Sequence, residues 1–190
     1  MVDKCNFYCY YISGDIMNIK VIRVGYLKCN CYVLEKDNDV LVIDPGDEYY
    51  KIKEEINGKN VIGVLITHHH FDHIGCISDL ENEYNTKIYS FNNLEEKDYE
   101  IGKFKFEVIY TMGHSNDSVT YYFKEDNVMF TGDFLFYDTI GRCDLEGSDY
   151  REMLKSIEKI KKYSKDIVIY PGHGRDSTLG REFERNPYFN

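Results

Sequence analysis

Thr67-His68-His69-His70-Phe71-Asp72-His73-Ile74-Gly75 is the stretch on which the reading of this chain turns. It follows residues 61–66, a continuous apolar run of the kind found in a strand buried on both faces. The chain has only six histidines in 190 residues, and four of them lie between positions 68 and 73. In extended backbone, residues two apart point to the same side. His68 and His70 can therefore converge on one ion, while His69 points elsewhere and is structural or supporting. If the chain then turns into a helix, Asp72 and His73 can face a second ion nearby. Neutral imidazoles with a carboxylate suit zinc, iron or manganese. One or two histidines here would read as a polar loop capping the next helix. Three, with an aspartate at this spacing, read as a metal centre.

Three further strand ends repeat the pattern. His114 lies in Met112-Gly113-His114-Ser115, just after the alternating run 104–110. Asp133 lies in Thr131-Gly132-Asp133, after 128–130, and His173 lies in Pro171-Gly172-His173-Gly174, after 167–170. Glycine beside each lets the backbone approach an ion closely. Five of the six histidines thus sit at strand ends. Asp44, in Val42-Ile43-Asp44-Pro45-Gly46, also ends a strand. It can orient a ligand histidine by accepting its second N–H, or cap a turn, and the orienting role is preferred.

The rest of the chain reads as strands at 19–24, 31–34, 40–43, 87–91, 119–123 and 128–131. Helices are expected at 49–56, with Ile52 and Ile56 at i and i+4, at 77–84, and at 149–163, with Met153, Leu154, Ile157 and Ile160 on one face. Such a mixture points to an α/β layered fold with helices on the outer faces of the sheets. The net charge of −10 disfavours a nucleic-acid groove. A hydrophobic fraction of 43% with 29% charged residues is that of a folded domain. No stretch approaches about 20 apolar residues, and no basic segment precedes an apolar one, so neither a membrane span nor a secretory signal is read. The six cysteines form no Cys-x-x-Cys pair, which suggests reduced thiols and a cytoplasmic protein. Cys29 and Cys31 read as small residues on one side of a strand. Residues 1–16 lack periodicity and motifs and are expected to be a dispensable N-terminal extension, with the domain running from 17 to 190.

Taken together, these motifs resemble those of a metallo-β-lactamase-fold hydrolase, most closely the glyoxalase II-like branch. The resemblance rests on the segment 67–75, Gly113-His114-Ser115, Thr131-Gly132-Asp133, Ile140-Gly141-Arg142, Pro171-Gly172-His173-Gly174, and the ending from Thr178-Leu179-Gly180 to Asn186-Pro187. It covers nearly the whole chain, from Met17 to Pro187. It implies a four-layer αββα sandwich with a dinuclear site along the sheet edge. By that resemblance His68, His70 and His114 hold the first ion, Asp72, His73 and His173 the second, and Asp133 bridges both. The expected ions are two divalent metals, zinc first, with iron or manganese as alternatives. Asp72 and Asp133 are the expected catalytic carboxylates.

Three departures accompany the likeness. Met112 and Asn116-Asp117 replace the commoner proline and glycine around His114, and Cys143 follows Gly141-Arg142 where a hydroxylated residue is usual. Glyoxalase II enzymes also carry a C-terminal helical domain that helps grip glutathione, whereas this sequence ends at Asn190, so the thiol portion of a substrate stays open. The expected activity is hydrolysis of a small-molecule thioester, S-lactoyl-type conjugates foremost, with no nucleic acid or membrane partner. Arg142 is a candidate for binding a substrate carboxylate or for a buried structural pair. The alternative is a persulfide dioxygenase-like oxidoreductase holding one iron. A true β-lactamase, a nuclease, a flavin-linked di-iron reductase and a non-catalytic metal-binding protein rank lower.

Overall fold

Alternation along the strands sorts the apolar residues to opposite faces, and that sorting builds the layers. The computed structural model describes residues 17–189. The first half forms β1 (Asn18–Val24), β2 (Cys29–Lys36), β3 (Asp39–Ile43), α1 (Tyr49–Ile56), β4 (Asn60–Leu65), α2 (Phe71–Ile74), α3 (Ile77–Tyr84) and β5 (Ile88–Tyr89). The second half forms β6 (Asp98–Ile101), β7 (Phe104–Tyr110), β8 (Val119–Phe123), β9 (Val128–Gly132), β10 (Leu135–Phe136) and β11 (Thr139–Ile140). It continues through α4 (Tyr150–Ile160), β12 (Val168–Pro171), β13 (Ser177–Thr178), α5 (Leu179–Arg185) and a 3-10 turn at Pro187–Phe189.

One sheet has the order β1-β2-β3-β4-β5 and the other β13-β12-β9-β8-β7-β6, with β10 and β11 as a separate hairpin. In β3, Leu41 and Ile43 face the space between the sheets, where they meet Tyr32, Phe104, Tyr121 and Phe130. Val40 and Val42 face the other way, onto Ile52 and Ile56 of α1 and Leu80 of α3. On the second sheet Phe130 faces inward, while Met129 and Ile169 face outward onto Met153, Ile157 and Ile160 of α4. Three apolar clusters between four layers are the αββα sandwich that the sequence motifs imply. Each fully buried large side chain contributes roughly 1.5–3 kcal/mol through removal from water.

Helices α1 and α3 and strands β7 and β8 coincide with the sequence expectation. Elsewhere the structure corrects it. The strand expected at 87–91 is only Ile88–Tyr89. The helix expected at 149–163 is Tyr150–Ile160, because Asp149 serves as its cap, its carboxylate accepting the Arg151 N–H at 2.7 Å. Leu154 does not share the buried face and is 41% exposed. Ser156 is buried there instead, its hydroxyl donating to the Met112 carbonyl at 2.7 Å. The four-residue edge strand β6 has no counterpart in the sequence expectation: Tyr99 and Ile101 face the core while Asp98 and Glu100 are exposed. The extension at 1–16 lies outside the described residues. Among the described residues the four cysteines are free thiols, and no helix is long and apolar enough to cross a membrane.

Candidate metal centre

Strand β4 delivers the histidine cluster. After Leu65 the chain bends at Thr67 and reaches His70 in extended conformation, with φ −67° and ψ 145°, before it winds into α2. Extended backbone sends His68 and His70 to one side and His69 to the other, as alternation predicts. The His69 ring points to Asp117, with Nδ1 2.5 Å from Oδ2, and its backbone N–H donates to the same oxygen at 3.2 Å. On the opposite side, His70 Nδ1 lies 3.0 Å from His68 Nε2 and 2.9 Å from His114 Nε2.

The remaining groups gather beside this triangle. Asp72 Oδ2 lies 3.6 Å from His73 Nε2 and 3.2 Å from His173 Nε2. Asp133, from the end of β9, stands between the two sets. Its Oδ1 is 3.5 Å from His73 Nε2, and its Oδ2 is 3.5 Å from both His114 Nε2 and His173 Nε2. The structure thus brings together all seven residues singled out in the sequence. The helix α2 is held close by the turn after β3. A Cβ on Gly46 would stand 1.6 Å from the Asp72 carbonyl oxygen, so only glycine permits this approach.

The rings are aimed by their other nitrogens. His73 Nδ1 donates to Asp44 Oδ2 at 2.9 Å, His114 Nδ1 to the Arg142 carbonyl at 2.9 Å, and His173 Nδ1 to the Leu27 carbonyl at 3.1 Å. Thr67 Oγ1 donates to Asp44 Oδ2 at 2.7 Å, which leaves its lone pair for His68 Nδ1 at 3.1 Å. All four rings therefore present Nε2 inward, and His70 presents Nδ1. Asp44, buried with φ 51°, also accepts the Thr67 backbone N–H at 2.8 Å. One carboxylate thereby orients a ring in each set, the role preferred for it from sequence. Asp44→Asn should weaken metal binding by about 10–100-fold, as loss of an outer partner does. Competition with a chromophoric chelator measures this, and a change below about threefold would contradict the role.

The electrostatics differ between the two sets. Burial holds the His68 imidazole well below its ordinary value and lowers that of His70, so both stay neutral with lone pairs available. At His73, burial also opposes charge, but Asp44 and Asp133 outweigh it and raise the imidazole well above the usual range. His173 is raised against burial by Asp72. Burial opposes ionisation of Asp72 and Asp133 too, but His173 at the first and His73 at the second lower both carboxyls.

The donor set fits metal ions. His68 Nε2 and His114 Nε2 both face His70 Nδ1 at about 3 Å, and the neutral His70 ring has only one N–H to share between them. His73 Nε2 and Asp133 Oδ1 are buried and have no hydrogen-bond partner among the described residues. A Cβ on Gly172 would stand 2.2 Å from Asp133 Oδ1 and 2.7 Å from His73 Cε1, so a glycine keeps this space clear. Imidazole and carboxylate donors accept zinc, iron and manganese.

The metallo-beta-lactamase superfamily model matches residues 24–97 and 90–173. The chain belongs to this superfamily. Metallo-beta-lactamase superfamily members are generally hydrolytic metalloenzymes. Hydroxyacylglutathione hydrolase GloC of Haemophilus influenzae is 29% identical, over 92% of this chain and 98% of that protein. Among solved structures, BLEG-1 B3 metallo-beta-lactamase superposes with a TM-score of 0.85 at 30% identity, covering 90% of this chain and 99% of that one. TTHA1623 in a di-iron-bound form superposes with a TM-score of 0.81 at 29% identity, covering 89% and 99%.

Within this metallo-beta-lactamase fold, some contributions had no sequence signal. Cys29 is a buried strand residue, as expected, but its Sγ also lies 3.5 Å from His73 Nδ1. Asn30 and Tyr32 hold the loop that carries His173. Asn30 Nδ2 donates to the Pro171 and Gly174 carbonyls at 3.0 and 3.1 Å, and the Tyr32 hydroxyl donates to Pro171 at 2.5 Å. Arg142 forms no buried pair. It is exposed and grips Asp144 with Nε and Nη2 at 2.6 and 2.7 Å. The unusual Asn116-Asp117 segment has a clear use, since Asp117 secures both His69 and the Ser115 hydroxyl.

Proposed function

We propose that the protein is a dinuclear metal-dependent hydrolase that cleaves a thioester, in the manner of a hydroxyacylglutathione hydrolase. The observation that carries this is the pair of three-donor sets set side by side with the Asp133 carboxylate between them. His68, His70 and His114 would hold one ion, Asp72, His73 and His173 the other, and Asp133 both. Two divalent ions bound there would supply a hydroxide at neutral pH and polarise the carbonyl. Zinc is the first choice, with iron or manganese as alternatives, and the di-iron form of TTHA1623 supports a two-ion site.

The chain's own groups do the rest. The Nδ1 anchors keep four of the five rings in one arrangement, so little reorganisation accompanies reaction. Asp133 stays ionised between the sets and balances their positive charge. Asp72 is a partly accessible carboxylate whose Oδ2 faces the His73 and His173 nitrogens, so its negative charge sits where the second ion would be held. A thiolate leaves without needing a strong acid, which suits a site whose described acids are lowered carboxyls. The likeness to GloC supports the thioester class. A small-molecule substrate and a cytoplasmic setting go with this reading.

The test offers an acyl-thiol, a persulfide and a β-lactam separately to metal-loaded protein, while free thiol, dissolved oxygen and ring opening are followed. Thioester cleavage without oxygen uptake, with about two ions per chain, is expected. One iron per chain with persulfide-dependent oxygen uptake, and no thioester cleavage, would replace it with the oxidoreductase reading. β-Lactam opening alone would replace the substrate class.

A further inference from the structure

The hairpin β10–β11 brings one aromatic ring to the edge of the centre and a second against the arginines that follow it. The Phe136 ring centroid lies 6.2 Å from that of His173. The next residue, Tyr137, carries a guanidinium on its ring at each of two positions, Arg175 Cζ at 3.3 Å and Arg181 Cζ at 3.5 Å from the centroid. Two cations so close to one centroid need opposite faces, so the ring is sandwiched.

The two arginines are not equivalent. Arg181 is fully committed, with Nη1 and Nη2 donating to the two Asp138 oxygens at 2.7 and 3.0 Å and Nη1 also to Glu182 at 2.7 Å. Glu182 is buried and ties the hairpin to α5, accepting the Asp138 backbone N–H at 2.8 Å and the Asn186 amide at 3.0 Å. Arg175, two residues beyond His173, is exposed, and no described carboxylate lies within ion-pair distance of it. Arg142, the third arginine in the segments framing the centre, is taken by Asp144. In a chain of net charge −10, an uncommitted guanidinium two residues from His173 is a specific feature.

Stacking explains why it is prepared for a ligand. The Tyr137 face holds the guanidinium by cation–π attraction, so fewer side-chain rotamers are lost when it engages a partner. Its edge stays free, and that edge matches a carboxylate with two parallel hydrogen bonds. We infer that Arg175 recognises a carboxylate on the substrate and is a specificity-determining residue. This deepens the thioester reading and rests on it.

The test compares charge alone. One pair of substrates is S-acetyl-3-mercaptopropionate and its amide, with the charge on the thiol side. The other is the succinyl thioester of 2-mercaptoethanol and its terminal amide, with the charge on the acyl side. For whichever side the arginine reads, Arg175→Gln should raise KM for the charged member about 10–100-fold, the worth of a charged hydrogen bond. It should leave kcat and the neutral member within about threefold, and Arg175→Lys should recover part of the loss. Tyr137→Leu should raise the same KM by a smaller factor. Melting temperature and metal content establish that each variant is folded and loaded. A change in KM that is equal for charged and neutral members of both pairs, or no change in either, overturns the inference. Calorimetric binding of the thioethers 3-(ethylthio)propionate and 4-(2-hydroxyethylthio)butanoate, each against its uncharged analogue, decides the point without turnover. If the wild type cleaves none of the four thioesters, the hydrolase reading fails, and the calorimetry still tells whether Arg175 selects a carboxylate.

Discussion

Asp133→Ala should deplete both halves of the metal centre at once and lower hydrolysis by more than about 100-fold. The reasoning starts from position. Asp133 Oδ2 stands 3.5 Å from a nitrogen of each set, His114 Nε2 and His173 Nε2, and Oδ1 stands 3.5 Å from His73 Nε2. Asp72, the other carboxylate facing the inward nitrogens, reaches only His73 and His173. Loss of an outer partner already costs about 10–100-fold, so loss of a group shared by two ions should exceed that. Charge points the same way, because Asp133 is a buried anion between sites of positive charge. His173→Ala is the comparison, since it touches only the second set and should chiefly remove one ion. Elemental analysis of the folded variants, alongside turnover of an acyl-thiol, measures both effects. An Asp133→Ala protein that keeps two ions and near wild-type turnover would remove the bridging role.

How much of this could be read from residues alone depends on the range of the interactions involved. Helices α1 and α3 and strand β7 were legible because their patterns are local. Ile52 and Ile56 fall one turn apart, and Phe104, Phe106 and Val108 alternate. The seven donors were legible because histidine is scarce and because each donor follows an apolar run that had to be a strand or stops one residue into the next turn. The supports of those donors were not. The carbonyl that anchors His173 belongs to Leu27, 146 residues away, and nothing local marks it. Asn30, which holds the same loop through Pro171 and Gly174, is likewise invisible until β2 and β12 are placed. Arg142 attracted attention because it stands in a recognised motif, yet its fork is filled by a neighbour only two residues on. Arg175 has no such motif, and its setting appears only when the Tyr137 hairpin is folded against α5. Strand β6 escaped notice because it is only four residues long, so the alternation of Asp98 and Glu100 with Tyr99 and Ile101 is too short to stand out.

His70→Ala and His69→Ala should part company, although the residues are neighbours of the same type. His70 Nδ1 is the corner shared by both short contacts of the first set, at 3.0 Å to His68 and 2.9 Å to His114. Removing it leaves two nitrogens where three stood. The variant should lose about one ion per chain and more than about 100-fold in turnover. His69 faces the other way and contacts Asp117. Its removal should leave both ions in place and turnover within about threefold, at a stability cost of about 1 kcal/mol for the lost hydrogen bond. Its partner stays tied, since Asp117 still accepts from Ser115 and from the residue-69 backbone. Metal content per chain and the melting temperature, measured together on both variants, separate the two effects. Equal metal loss in two folded variants would mean that the extended segment does not divide its side chains as alternation requires, and the assignment of the first set would fall with it.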